Sequence, residues 1–178
     1  MNCGRRRAAA AAVLALAAFL SGCATTRPPE GGDWLSGRIS VKVDAIDARP
    51  ARNISSAFEL RGDAEQGELR LTSPLGTRVA TAFWAPGVAR LVTPDGENRY
   101  PDLDTLSREA LGEALPLRAL PAWLRGQPWP GAESRRSDAG FEQLGWKVAL
   151  TRYAEGWLEV TRAAVPAVTV KAKLEPPG

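Results

Sequence analysis

Apolar and polar residues alternate along much of this chain. Ile39, Val41 and Val43 take turns with Arg38, Ser40 and Lys42, Leu69 and Leu71 with Glu68, Arg70 and Thr72, and Val168, Val170, Ala172 and Leu174 with Thr169, Lys171 and Lys173. A period of two sends successive side chains to opposite faces, so these runs predict half-buried strands of an antiparallel sheet. Turn signals separate them at short intervals: Gly62-Asp63, Ser73-Pro74-Leu75-Gly76, Pro86-Gly87 and Pro94-Asp95-Gly96. Two stretches change period. Leu103, Leu106, Ala110 and Leu111 recur at three- and four-residue steps, with Asp102 or Asp104 placed to cap a helix and Gly112 to end it. The segment PLRALPAWLRG runs from Pro116 to Gly126, and Pro121 inside it forces a break or a very short helix. Residues 127–140 read as a loop before strands return at WKVAL, GWLEV and VTVKAKL. The order of elements predicts an α+β fold, a curved antiparallel sheet with helices on one side.

The N-terminus stands apart from this rhythm. Arg5, Arg6 and Arg7 precede an apolar run from Ala8 to Leu20 that ends in Leu20-Ser21-Gly22-Cys23. A positive start, a short apolar stretch and small residues before a break describe a secretory signal, too short for a comfortable membrane span. The tetrapeptide resembles the bacterial lipobox, in which cleavage precedes a cysteine that is then acylated. Residues 1–22 are therefore expected to be a lipoprotein-type signal peptide, Cys23 the lipidation site, residues 23–33 a Pro- and Gly-containing tether, and residues 34–178 one domain.

Charge and cysteine change meaning once the leader is removed. The whole chain carries 23 Lys and Arg against 20 Asp and Glu, and the leader holds three of those arginines and no acid, which leaves 20 of each. A balanced domain has no net attraction to nucleic acid. Cys3 leaves with the leader and Cys23 is acylated, so no thiol is expected for a disulfide, metal or nucleophile.

Candidate chemistry is sparse. The chain has no histidine, the commonest general base near neutral pH and the commonest metal ligand. Gly140-Phe-Glu-Gln-Leu-Gly145 is the nearest thing to a phosphate loop, but Trp146 stands where a lysine is required. Asp102 and Asp104 explain themselves at a helix start, while Asp44 and Asp47 remain as a carboxylate pair with no evident partner. Asn53-Ile54-Ser55 matches a glycosylation sequon, which a bacterial lipobox makes irrelevant. No enzyme, metal or cofactor is expected. The residues alone leave open a lipoprotein that binds some hydrophobic ligand or one that scaffolds an envelope complex.

Several stretches nevertheless converge. A lipobox, a short tether and Trp34 are followed by Gly37-Arg38-Ile39-Ser40-Val41, Glu68-Leu69-Arg70-Leu71-Thr72-Ser73-Pro74-Leu75-Gly76, Leu111-Gly112 with Leu115-Pro116-Leu117, Ala122-Trp123-Leu124-Arg125-Gly126-Gln127-Pro128 and Gly145-Trp146-Lys147-Val148. In that order they resemble the LolB family of outer-membrane lipoprotein receptors and insertion factors over nearly all of the mature chain. One departure is the ending Glu175-Pro176-Pro177-Gly178, without the tryptophan-containing close associated with the family, which leaves the pairing of the last strand open.

The resemblance implies an unclosed, curved antiparallel barrel with helices covering an apolar cavity. It implies a protein, anchored in the outer membrane and facing the periplasm, that accepts lipoproteins from the periplasmic carrier LolA, buries their acyl chains and delivers them to outer-membrane lipid as a monomer. Ala24 after Cys23 agrees with outer-membrane residence. Inward positions of the alternating strands and the two helices supply the candidate lining: Ile39, Val41, Phe58, Leu60, Leu69, Leu71, Val79, Phe83, Leu106, Leu120, Trp123, Val148 and Leu150. Leu75 poses the sharper question, because turn tips favour residues with a backbone or hydrogen-bonding reason to be there. Single exposed leucines are common, but the resemblance implies that Pro74, Leu75 and Gly76 form a protruding loop that acts at the membrane step.

Overall fold

The computed structural model describes residues 34–47, 50–112 and 115–176, so the expected signal peptide, Cys23 and the tether lie outside the described residues. Eleven strands form one sheet: β1 (Leu35–Val43), β2 (Arg52–Gly62), β3 (Gly67–Thr72), β4 (Arg78–Ala85), β5 (Val88–Thr93), β6 (Gly96–Tyr100), β7 (Ser134–Ser137), β8 (Gly140–Gln143), β9 (Trp146–Ala149), β10 (Trp157–Arg162) and β11 (Val168–Leu174). Their spatial order is β6-β5-β4-β3-β2-β1-β11-β10-β9-β8-β7. Each neighbouring pair is antiparallel, and β6 and β7 remain as edges, so the sheet curls without closing. The last strand is not an edge: β11 pairs with β1 on one side and β10 on the other, whatever the chain's atypical close.

Two helices interrupt the strands, α1 (Leu103–Leu111) and α2 (Leu120–Leu124). Asp102 caps α1 by accepting from the Thr105 N–H at 2.7 Å, and Gly112 ends it in the left-handed region. The bonds from Thr105, chiefly to its backbone N–H, hold the Asp102 carboxyl below its ordinary value. Pro121 sits in the first turn of α2, where its missing N–H costs nothing, and the helix is the very short one expected, five residues long. The stretch 127–140, read from the sequence as loop, contains β7. Its four residues are all exposed, so no apolar alternation marks it.

Strand direction divides the turns between two ends. Those after β1, β3, β5, β8 and β10 lie at what we term the upper end, and those after β2, β4, β7 and β9 at the lower end. In the lower half of β1 to β5 the concave face is packed solid. Leu35, Leu60, Leu69 and Ala82 lie side by side across β1 to β4, and Phe58, Leu60 and Ala82 are buried there together with Trp84. Gly67 makes this possible, since a Cβ on it would lie 2.3 Å from the Trp84 ring. The Trp84 indole N–H then donates to the Asp63 carbonyl at 2.9 Å. That fit fixes the register of β4 and turns Val79, Thr81 and Phe83 outward.

On the convex face the first described residue, Trp34, is clamped. Glu68, 3% exposed, accepts from Arg61 at 2.7 Å and Arg70 at 2.6 Å. Both guanidinium groups stand over the Trp34 ring, at 4.8 and 4.3 Å from its centre. Removing the carboxylate leaves two facing cations in partial burial. Glu68→Ala is expected to lower stability by about 2 kcal/mol or more, as read from urea denaturation; an unchanged midpoint would remove the clamp from this account.

Candidate functional site

The upper half of the concave face is not filled. Val160, Val170, Val41 and Ile54 stand in one row across β10, β11, β1 and β2, with Ile39 beside Ser56 in the row below. Above them lies a hollow of about 90 Å³. Its roof consists of Leu111 at the end of α1, the connecting Leu115, Pro116 and Leu117, and Leu120 and Trp123 of α2. Trp146 closes one side, 6.4 Å from Trp123 between ring centres. Among the described residues no ionisable side chain lines this space, and Ser56 supplies the one hydroxyl.

Of the residues expected from sequence to line a cavity, Ile39, Val41, Leu69, Leu71, Leu120 and Trp123 surround the hollow. Phe58, Leu60, Leu106 and Val148 are instead buried in packed core, and Leu150 packs against that core from the end of β9. Val79 and Phe83 lie on the convex face, where Arg90 stands 4.9 Å from the Phe83 ring. This corrects the inward assignment, and its physical reason is the Trp84–Gly67 fit, which outranks the equally regular alternation of Val79, Thr81 and Phe83. The lining that sequence reading missed is Ile54, Ser56, Leu111, Leu115, Pro116, Leu117, Trp146, Val160 and Val170. Val160 and Val170 belong to periodic strands, so alternation was signal enough for them.

Few polar contacts hold the roof down, and they are unevenly spread. Ser107 of α1, fully buried, accepts from the Leu115 N–H at 3.1 Å, and Arg52 donates to the Leu111 carbonyl at 3.3 Å. At the far end of α2 the hold is firmer. The Trp123 indole donates to Gln143 at 2.8 Å, and the Tyr153 hydroxyl donates to the Leu124 carbonyl at 3.0 Å. Burial pushes the Tyr153 phenol up, with Arg125 opposing it. Gln143 is saturated: its oxygen also accepts from the Trp129 N–H, and its nitrogen donates to the carbonyls of Trp129 and Ala132. Between Leu115 and Leu120 the contacts are apolar packing with short backbone turns.

The Leu75 turn stands at the upper end. The Gly76 N–H donates to the Ser73 carbonyl at 2.9 Å, the Ser73 N–H to the Thr77 carbonyl at 2.8 Å, and the Thr77 N–H to the Ser73 hydroxyl at 3.2 Å. Pro74 occupies the second position and Gly76 the fourth, the places each favours in a common tight turn. Leu75 tops this small, braced support at 93% exposure. Two of the carboxylates noted in the sequence have structural partners, since Asp44 pairs with Lys42 at 2.9 Å and Asp102 caps α1. Among the described residues no three His, Cys, Asp or Glu side chains gather as metal ligands, and no helix is long and apolar enough to cross a membrane.

An open antiparallel sheet with an apolar hollow under a light helical roof is a half-barrel whose interior suits hydrocarbon rather than a polar ligand. The chain belongs to the family described as outer membrane lipoprotein LolB, whose model matches residues 34–173. It is similar to proteins named outer-membrane lipoprotein LolB from Chromobacterium violaceum, at 32% identity over 80% of this chain and 82% of the relative, and from Bordetella petrii, at 34% over 78% and 75%. A relative of the same name from Cupriavidus pinatubonensis is 35% identical over 92% of this chain and 83% of its own length. The chain is accordingly an outer-membrane lipoprotein of the lipoprotein-localisation class.

Gln143 gives the site its simplest test. Gln143→Leu keeps the volume but strands the Trp123 indole and three backbone groups, so urea denaturation is expected to show a loss of about 3 kcal/mol. A loss below about 0.5 kcal/mol would mean that the four bonds do not hold the roof.

Proposed function

We propose that this protein accepts lipoproteins from a LolA-like periplasmic carrier, buries their acyl chains in the concave hollow, and inserts them into the outer membrane as a monomer and without enzymatic chemistry. In this reading residues 1–22 are removed, Cys23 carries the acyl anchor, and residues 23–33 tether the domain to the bilayer. The observation that carries it is the pairing of an uncharged hollow with a braced apolar tip at the same end of the sheet.

Magnitudes set what the hollow must do. At about 0.8 kcal/mol per CH₂, a chain of about 16 carbons costs roughly 12 kcal/mol to leave in water, so acyl groups cross the periplasm only under cover. A hollow of about 90 Å³ is smaller than the cavity of about 150 Å³ that admits one benzene ring. The roof must therefore lift to admit cargo. The loosely held span from Leu115 to Leu120 is the part to move, while the bonds of Gln143 and Tyr153 hold the end of α2 as its hinge. Leu75 is not the anchor: burying one leucine is worth roughly 1.5 to 3 kcal/mol, far below an acyl chain. Its effect is local, at the moment the mouth meets lipid.

Two variants separate the steps in a transfer assay from carrier to receiver to liposomes. Ser56→Leu fills the floor of the hollow at an overpacking cost of about 1–3 kcal/mol and is expected to fold yet refuse cargo. Leu75→Glu is expected to accept cargo at the normal rate and fail to deliver it. Normal acceptance by the first variant or normal delivery by the second would contradict the proposal, and a wild-type protein that takes other lipids but no lipoprotein would replace it with a different carrier role.

A further inference from the structure

The large apolar side chains exposed among the described residues are Leu75, Val165, Leu144, Ile54 and Val79, at 93%, 77%, 47%, 38% and 37%. All five lie at the upper end. Leu75, Val165 and Leu144 occupy the turns after β3, β10 and β8, and Ile54 and Val79 stand within the first three residues of β2 and β4, which start there. Four hairpin turns at the lower end offer nothing comparable, and the turn at 63–66 presents Asp63 and Glu65 instead. We propose that Val165 and Leu144 act with Leu75 as a three-point apolar rim that seats the mouth of the hollow on a lipid bilayer. This rests on the reading of the upper end as the membrane side of delivery and extends it from one residue to a surface.

Three features argue for lipid as the occupant. The turns themselves, residues 73–77, 163–167 and 144–145, contain no ionisable residue, although residues 44–47 and 94–95 at the same end do. They are also dispersed. Following the strand order at about 4.8 Å per strand, the Leu75 and Val165 turns lie about 19 Å apart along the arc, and Leu144 about 10 Å further on. Three separate tips on a curved arc suit a flat, deformable surface better than one protein groove. Finally, β1 climbs from Trp34 at the lower end across nine residues, about 30 Å. The eleven residues 23–33 reach at most about 40 Å, enough for an anchor on Cys23 to share a bilayer with the rim.

Leu144 adds an independent sign. It has φ 54° and Gly145 has φ 77°, with Gln143 paired to Trp146 across them. A two-residue hairpin with both central residues in the left-handed region favours Asn-Gly, and a branched hydrocarbon there is strained. A costly residue at a half-exposed tip points to work done by its side chain, the same anomaly that Leu75 presents.

The test uses the full acylated chain in vesicles of phosphatidylethanolamine and phosphatidylglycerol containing brominated lipid. No described residue is a cysteine, so Leu75→Cys, Leu144→Cys, Val165→Cys and Ala64→Cys each carry one environment-sensitive fluorophore, the last as a lower-end control. The rim predicts blue-shifted, bromine-quenched emission at 75, 144 and 165 and none at 64. Positions 144 and 165 matching 64 would overturn it, as would a shift there that needs the carrier and not the vesicles. Leu144→Asn supplies the second arm, since it relieves the turn and so raises thermal stability while slowing delivery on the order of fivefold; an unchanged rate would count against Leu144. Cargo uptake from the carrier is followed in the same vesicles. Immersed probes without uptake would sink the proposed function and leave the rim standing, and uptake with dry probes would do the reverse.

Discussion

The structure depends on one unsolved packing problem: a sheet that curls but does not close has a concave apolar face that its own strands cannot cover. The lower half solves it with large side chains: Phe58 and Trp84 stand across from Gly37 and Gly67, and Leu60 sits between Leu35 and Leu69. The upper half uses valines and isoleucines too short to fill the curvature, and leaves the covering to a segment of chain between β6 and β7. A closed barrel would have no edges and no mouth. Leaving the sheet open between β6 and β7 lets a roof be separate from the wall.

That separation decides the energetics of the site. The roof is held firmly at one end, through the saturated amide of Gln143, and lightly at the other, through Ser107 and an exposed arginine. Lifting apolar side chains off an apolar floor exposes surface to water at roughly 25 cal/mol per Å². An entering acyl chain re-covers both surfaces, so the guest offsets the cost of opening and leaves a net gain that grows with chain length. An apolar lining makes the gain indifferent to the protein attached to the chain. It also keeps binding non-directional, so cargo can leave once the mouth faces a larger apolar phase.

Much of this was legible in the residues. Alternation marked the strands, turn residues marked most hairpins, and Asp102 and Gly112 bracketed α1, because these are local rules about backbone and burial. Leu75 was visible as a misfit between residue type and turn position. Two things were hidden for a physical reason. Alternation has two phases, and in VATAFWA both are apolar; only the long-range fit of Trp84 over Gly67 selects the one that turns Phe83 outward. The lining contributed by Leu115 to Leu117 comes from a connecting segment with no period, Leu111 is the last residue of a helix whose period does not say where its end lies over the sheet, and Ile54 stands at the start of β2, where Arg52 and Asn53 show no apolar alternation. Leu144 lay within a stretch weighed only as a phosphate loop, and its positive φ depends on a hairpin register no single residue announces.

The central claim is that hydrocarbon enters beneath the roof. It is tested most directly by transferring to this protein a lipoprotein whose acyl chain carries a diazirine, irradiating before liposomes are added, and locating the cross-links by mass spectrometry. The account predicts adducts on the floor and the roof together, at Ile39, Val41 and Ile54 on one side and Leu117 and Leu120 on the other. Adducts confined to the convex face around Phe83, or to the upper turns alone, would contradict it.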